Sequence, residues 1–208
     1  MEIGILGSGN IGGNAARLFA QAGHRVRIAN SRGPQSLKAL VAEIGPNAQA
    51  TSAQDAVDAS DLVVIAVPWT KREEALGEIE GWDGKIVVDA MNPYTEDFEI
   101  EDLGSKTATE FTRALVPGAR VVKAFNTIYY KRLAGDGKPK GEKGRLAIPV
   151  ASDDAAAKRT VMDLIDEIGF DPVDNGGLVE GGRKQQPGST IYNEPIGAEK
   201  MKAELARN

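Results

Sequence analysis

Short apolar runs alternate along this chain with stretches whose apolar residues recur at helical spacing. Residues 3–6 form an apolar run, residues 10–22 repeat at three and four, and a second strand-like run closes near Ala29. Leu37, Leu40, Val41 and Ile44 predict a helix over 36–44 that stops at Gly45-Pro46, and a small helix is expected within 51–59. LVVIAV at 62–67 and KIVVD at 85–89 are continuous β-branched runs, as expected of parallel strands covered on both faces. A helix over 71–79 lies between them. Beyond an acid-rich stretch at 94–105, read as an exposed loop, the pattern predicts a helix at 107–115 and a strand at 120–124. A strand at 145–151, a helix at 153–168, a short strand at 170–173 and a closing helix at 194–207 complete the series. Residues 134–144, AGDGKPKGEKG, read as a mobile loop, and 176–188 as a glycine-rich turn region. This alternation predicts an α/β fold with a doubly wound, mostly parallel sheet and a small C-terminal extension. One domain is expected across 1–208, with a core of about 1–130 and an extension over 131–208 that completes the substrate pocket.

The turn after the first run is Gly7-Ser8-Gly9-Asn10-Ile11-Gly12. In a strand-turn-helix setting Gly7 permits the tight turn, Gly9 lets backbone approach a pyrophosphate, and Gly12 lets helix and strand pack closely. A helix start there offers free N–H groups and a positive dipole end to phosphates. The bland alternative is a glycine turn with no ligand, but the second strand at the right distance favours a Rossmann-like dinucleotide site. NAD-binding folds place an acid after that strand to hold the ribose 2′-hydroxyl. Here no acid stands between Glu2 and Glu43, and Asn30, Ser31 and Arg32 occupy the position. Arg32 can pair with a 2′-phosphate and Ser31 can donate to it, so the expected cofactor is NADP(H). The competing reading makes Arg32 a solvated loop residue.

The later strands exit through Val67-Pro68-Trp69, Asn92-Pro93 and Asn126-Thr127-Ile128. In open α/β sheets ligands bind at this edge. Trp69 fits either a stack beside the nicotinamide or a cap on the core. Tyr94, Tyr129, Tyr130 and Lys123 could each supply a proton, and nothing selects among them, so no catalytic residue is assigned. Hydride transfer between two bound rings needs mainly proximity and orientation, which such a residue set can provide.

The net charge of −5 argues against nucleic acid as a partner. Residues 3–42 nevertheless carry Arg17, Arg25, Arg27, Arg32 and Lys38 without an acid, a local positive field for an anionic ligand. The chain has no cysteine and one histidine, His24, which excludes thiolate chemistry and makes a metal cluster or a Ser-His-Asp triad improbable; no metal is expected. His24 reads as a surface turn residue. No run approaches a membrane span and none precedes the first strand, so a cytoplasmic protein without membrane contact is expected.

GILGSGNIG, GHRVRIANSR, VVIAVPW, DAMNP, VVKAFNTI and VDNGGL together resemble the NADPH-dependent deazaflavin (coenzyme F420) oxidoreductases, over nearly the whole chain. The resemblance implies that Ser8, Asn10 and Ile11 contact the pyrophosphate region and Ser31 and Arg32 the 2′-phosphate. It places Val67, Pro68 and Trp69 beside the nicotinamide and Asn126, Thr127 and Ile128 near the deazaflavin. It also implies direct hydride transfer to a small-molecule acceptor and a homodimer. The lysines of 138–143 and Arg183, where the chain departs from the family pattern, could receive an anionic deazaflavin tail or be simply solvated. Reduction of a flavin, quinone or imine, or NADP(H) sensing without turnover, are the alternatives.

Overall fold

The computed structural model describes residues 1–207. Its first half alternates strand and helix: β1 (Glu2–Leu6), α1 (Asn10–Gln21), β2 (Arg25–Ala29), a 3-10 turn (Pro34–Leu37), α2 (Lys38–Ile44), β3 (Ala48–Ala50), α3 (Ala53–Asp58) and β4 (Leu62–Ile65). A second 3-10 turn (Trp69–Lys71) runs into α4 (Arg72–Leu76), followed by β5 (Ile86–Asp89), α5 (Ala108–Leu115) and β6 (Arg120–Lys123). These strands form one parallel sheet in the order β3-β2-β1-β4-β5-β6, the doubly wound Rossmann-like arrangement. Because every pair is parallel, all the carboxyl ends share one edge, and the order reverses between β1 and β4.

The remaining chain forms α6 (Tyr130–Gly135), β7 (Ala147–Val150), α7 (Ala155–Glu167), β8 (Asp171–Asp174), α8 (Leu178–Lys184) and α9 (Ala198–Leu205). β7 and β8 pair in parallel as a second small sheet, joined to β6 by an antiparallel bridge between Lys123 and Ala151. One buried cluster spans both parts: Ile3, Ile28, Val64 and Val122 of the large sheet with Phe19 of α1, Ile148 and Val150 of β7, and Val161, Leu164 and Ile165 of α7.

Three elements depart from the sequence pattern. β3 is a three-residue edge strand, AQA, with no β-branched residue to announce it. The expected loop at 134–144 is preceded by a helix, α6, that packs on α1 and ends at Gly135. The loop itself is tied down: the Lys138 N–H donates to Gly169 O, Lys138 Nζ to Lys143 O and Lys140 Nζ to Asp166 Oδ2. The glycine-rich region contains α8, where a Cβ on Gly181 would lie 2.1 Å from the Asn175 carbonyl oxygen. Gly181 thus permits close packing inside a helix, while Gly176 and Gly188 flank it with left-handed backbone. Among the described residues no helix is long and apolar enough to cross a membrane.

Candidate active site

The Gly7–Gly12 turn follows β1 at the strand-exit edge. Gly7 has φ 104°, and a side chain there would strike the Ala66 carbonyl oxygen at 2.3 Å. A Cβ on Gly12 would lie 1.9 Å from the Gly7 carbonyl oxygen, so the helix can start this close to the strand only with glycine. Gly9 caps α1 with extended backbone, and the space beyond its Cα is open. No side chain caps this helix and no acid lies in its first turn, so its N-terminal N–H groups are available to an anion.

Asn30 organises the next exit. Its Nδ2 donates to Ser8 Oγ at 3.1 Å, and its Oδ1 accepts from the Arg32 N–H and from Ser36 Oγ, both at 3.0 Å. Asn30 therefore shapes the loop that presents Arg32. Arg32 is exposed and has no acid partner among the described residues. A depression of about 390 Å³ is lined by Ser8, Gly9, Asn10, Arg32 and Ser36, with Leu37 and Leu40 as apolar wall. These residues suit a phosphorylated nucleotide: uncapped N–H groups for a pyrophosphate, a guanidinium for a further phosphate, hydroxyls between. Ser31 is exposed and outside the lining, whereas Ser36, six residues beyond Asn30, is part of it.

The positive field expected over 3–42 is partly offset by two acids from outside that stretch. Glu2 pairs with Arg25 and Arg27, and Glu43 binds Arg17 through two contacts at 2.8 and 2.9 Å. The arginines hold the carboxyls of Glu2 and Glu43 below the usual range. Arg17 and Glu43 both line the depression, so the fold brings an acid to a site whose neighbouring sequence has none.

At the other end of the edge, Asn92 and Asn126 face each other. Asn126 Nδ2 donates to Asn92 Oδ1 at 3.0 Å and to the Gln185 carbonyl at 2.7 Å, while Asn92 Nδ2 donates to the Asn126 carbonyl at 2.8 Å. Phe125, just before Asn126, takes left-handed backbone (φ 64°), uncommon for a bulky residue, and is held by edge-on packing against Phe19. Asn126 Oδ1 is a buried acceptor with no partner among the described residues, which fits a group with a hydrogen to donate. Thr127 and Ile128 are buried, and the Thr127 carbonyl accepts from the Asn193 N–H at 2.8 Å, docking the C-terminal tail on this exit. The tail also contributes Tyr192, whose hydroxyl accepts from Asn92 Nδ2 at 3.2 Å. Burial, then the neighbouring Tyr94 hydroxyl, raises the Tyr192 pKa, so it stays protonated. One hundred residues separate Tyr192 from Asn92, and no local motif marks it.

The structure narrows or corrects several sequence expectations. Trp69 caps the core: it is 2% exposed, lies edge-on to Phe111, carries the Arg72 guanidinium 3.9 Å above its ring, and donates from Nε1 to Glu101. Val67 is half-buried and Pro68 exposed, so of that exit these two remain closer to the ligand side. Lys123 faces inward. Its ammonium donates to Asp89 Oδ2 at 3.1 Å and to the Met91 carbonyl at 2.5 Å, with both side chains buried. Burial pulls its pKa down and Asp89 opposes this. It ties the ends of β5 and β6 together and is itself buried. The lysines of 138–143 sit at the wrong edge: Lys140 binds Asp166, and the adjacent Glu167 bonds His24 Nε2 at 2.8 Å where β2 begins, opposite the strand exits. His24 is thus a bridge between α7 and the sheet rather than a free turn residue. Arg183 donates to the Ser105 carbonyl, bracing α8 against the loop before α5.

Residues 2–93 match the family model described as NADP oxidoreductase coenzyme F420-dependent. A hypothetical protein of Sinorhizobium meliloti superposes with a TM-score of 0.85 at 37% identity, covering 93% of this chain and 94% of that one. A structure from Arthrobacter, assigned as an F420-dependent NADP reductase, gives a TM-score of 0.73 at 28% identity over 86% of each chain. The metalloreductase STEAP3 of Rattus norvegicus is 30% identical over 177 residues, which cover 85% of this chain and 34% of that protein. The chain spans little more than a third of the length of the curated relatives it matches.

Proposed function

Because this chain belongs to the family of coenzyme F420-dependent NADP oxidoreductases, we propose that it binds NADP(H) along the strand-exit edge and exchanges a hydride between it and a deazaflavin or similar ring acceptor. The observation that carries this reading is the pairing of two unlike ends on one edge. One end offers an uncapped helix start and an arginine with no acid partner among the described residues. The other is neutral and polar, built from Asn92, Asn126 and Tyr192. Bound NADPH supplies the hydride.

The chain's own residues bind and orient. The N–H groups opening α1 take the pyrophosphate, and Arg32 takes the 2′-phosphate. Val67 and Pro68 form a wall at the β4 exit. Asn92 and Asn126, locked by their reciprocal bonds, present a fixed amide surface to the acceptor, so that rate enhancement comes chiefly from proximity and alignment. Tyr192 holds a proton beside that surface.

The test mixes purified protein with NADPH and oxidised coenzyme F420. Loss of the deazaflavin's visible absorbance, matched by NADPH consumption, is the expected result. NADPH oxidation with a flavin, quinone or imine but not with F420 would move the acceptor; tight NADPH binding with no turnover on any of them would make the protein a sensor of NADP(H) and overturn the catalytic reading.

A further inference from the structure

The Arg17–Glu43 pair lies inside the nucleotide depression, and neither residue has a place in the reading above. Arg17 stands two turns into α1, its guanidinium 3.4 Å from the position of a Cβ on Gly13, and Glu43 stands at the end of α2. Both contacts are short, yet the side chains are 34% and 61% exposed. The contact is two-pronged, but Glu43 stands open to water and salt, which compete with it. Arg17 can therefore leave Glu43 at small cost when a stronger anion arrives. A phosphate monoester carries up to two negative charges and accepts a forked guanidinium. Arg17 lines the same depression as Arg32 and Ser36, whereas Glu43 alone would repel that phosphate.

We propose that Arg17 is an exchangeable second arginine for the 2′-phosphate of NADP(H), parked on Glu43 in the free protein, and that Glu43 tunes the preference for NADPH over NADH by competing for it. The depression then presents two guanidiniums to the 2′-phosphate when the nucleotide is bound. With NADH, which lacks that phosphate, Arg17 stays on Glu43 and the carboxylate stays neutralised. The inference rests on NADP(H) occupying this depression.

Calorimetric titration of NADPH and NADH into the wild type, Arg17→Met and Glu43→Gln tests it without any acceptor. Wild type should bind NADPH more tightly than NADH. Arg17→Met should weaken NADPH about tenfold, the scale of one charge-assisted contact, and leave NADH within about twofold. Glu43→Gln frees Arg17 and should tighten NADPH about threefold with NADH unchanged. The double variant should match Arg17→Met. Wild type with no preference for NADPH would overturn both the NADP reading and this inference. A wild-type preference for NADPH with both single variants indistinguishable from it would overturn the inference alone, as would equal losses for the two nucleotides. Glu43 is largely on the surface and Arg17 about one third exposed, and thermal melts of the variants check that the fold is retained.

Discussion

Single residues decided which of several sequence readings is right, and they did so through partners far away in the chain. Lys123 has the chemistry of a proton donor, but Asp89, thirty-four residues earlier, fixes it as a structural cation. Asp89 also accepts from the Met91 N–H and from Thr112 Oγ1, so the carboxylate is fully engaged while the ion pair lasts. Removing one member of a buried pair leaves the other charge uncompensated. Lys123→Met should therefore destabilise the protein by about 3–5 kcal/mol in urea unfolding. A loss under about 1 kcal/mol would show that the pair is not held as described. The acid in the nucleotide depression was hidden for the same reason. Glu43 stands eleven positions after Arg32 and enters the site only because α2 folds back along α1. The placement of Arg32 and the glycines at the strand exits, by contrast, was legible, because it depends on a strand-turn-helix spacing that lies within one stretch of sequence.

Elements were legible where burial on both faces or a strong helical period marked them. β4, β5 and α7 came out nearly at their observed bounds. α8 did not, since Gly181 and Gly182 read as breakers until the Asn175 carbonyl and Ala151 are seen packed against Gly181. The lysine loop misled in the other direction: its composition reads as free, yet Arg145 and Lys140 both bind Asp166 at the end of α7. Lys140 first, then Arg145, hold the Asp166 carboxyl below its ordinary value. A carboxyl depressed in the folded state stabilises above its unfolded pKa and loses that contribution as pH falls through the folded value. The stabilisation from this loop should thus be present at neutral pH and disappear below about pH 4. Asp166→Asn should lower the urea midpoint at pH 7 and flatten its acid dependence. An unchanged pH profile in that variant would remove Asp166 from the account.

The whole molecule follows from parallel strands that deliver their exits to one edge. That the strands β1, β2, β4, β5 and β6 share one exit edge was accessible from the alternating pattern, and with it the set Gly7, Asn30, Asn92 and Asn126, whereas the order of strands along that edge came only from the structure. The extension over 131–208 was expected at the site, but which of its residues enter was out of reach, because Tyr192 and the Gln185 carbonyl reach Asn92 and Asn126 across the fold. The family places the chain among NADP oxidoreductases, and the geometry sets an uncapped helix start with Arg32 at one end of the edge and a neutral amide pair at the other. The measurement that bears most directly on this account is the affinity of Arg32→Ala for NADPH and for NADH, compared with wild type. Loss of about 1.5–3 kcal/mol of NADPH binding, with NADH nearly unchanged, is the predicted result; equal losses for both nucleotides would contradict it.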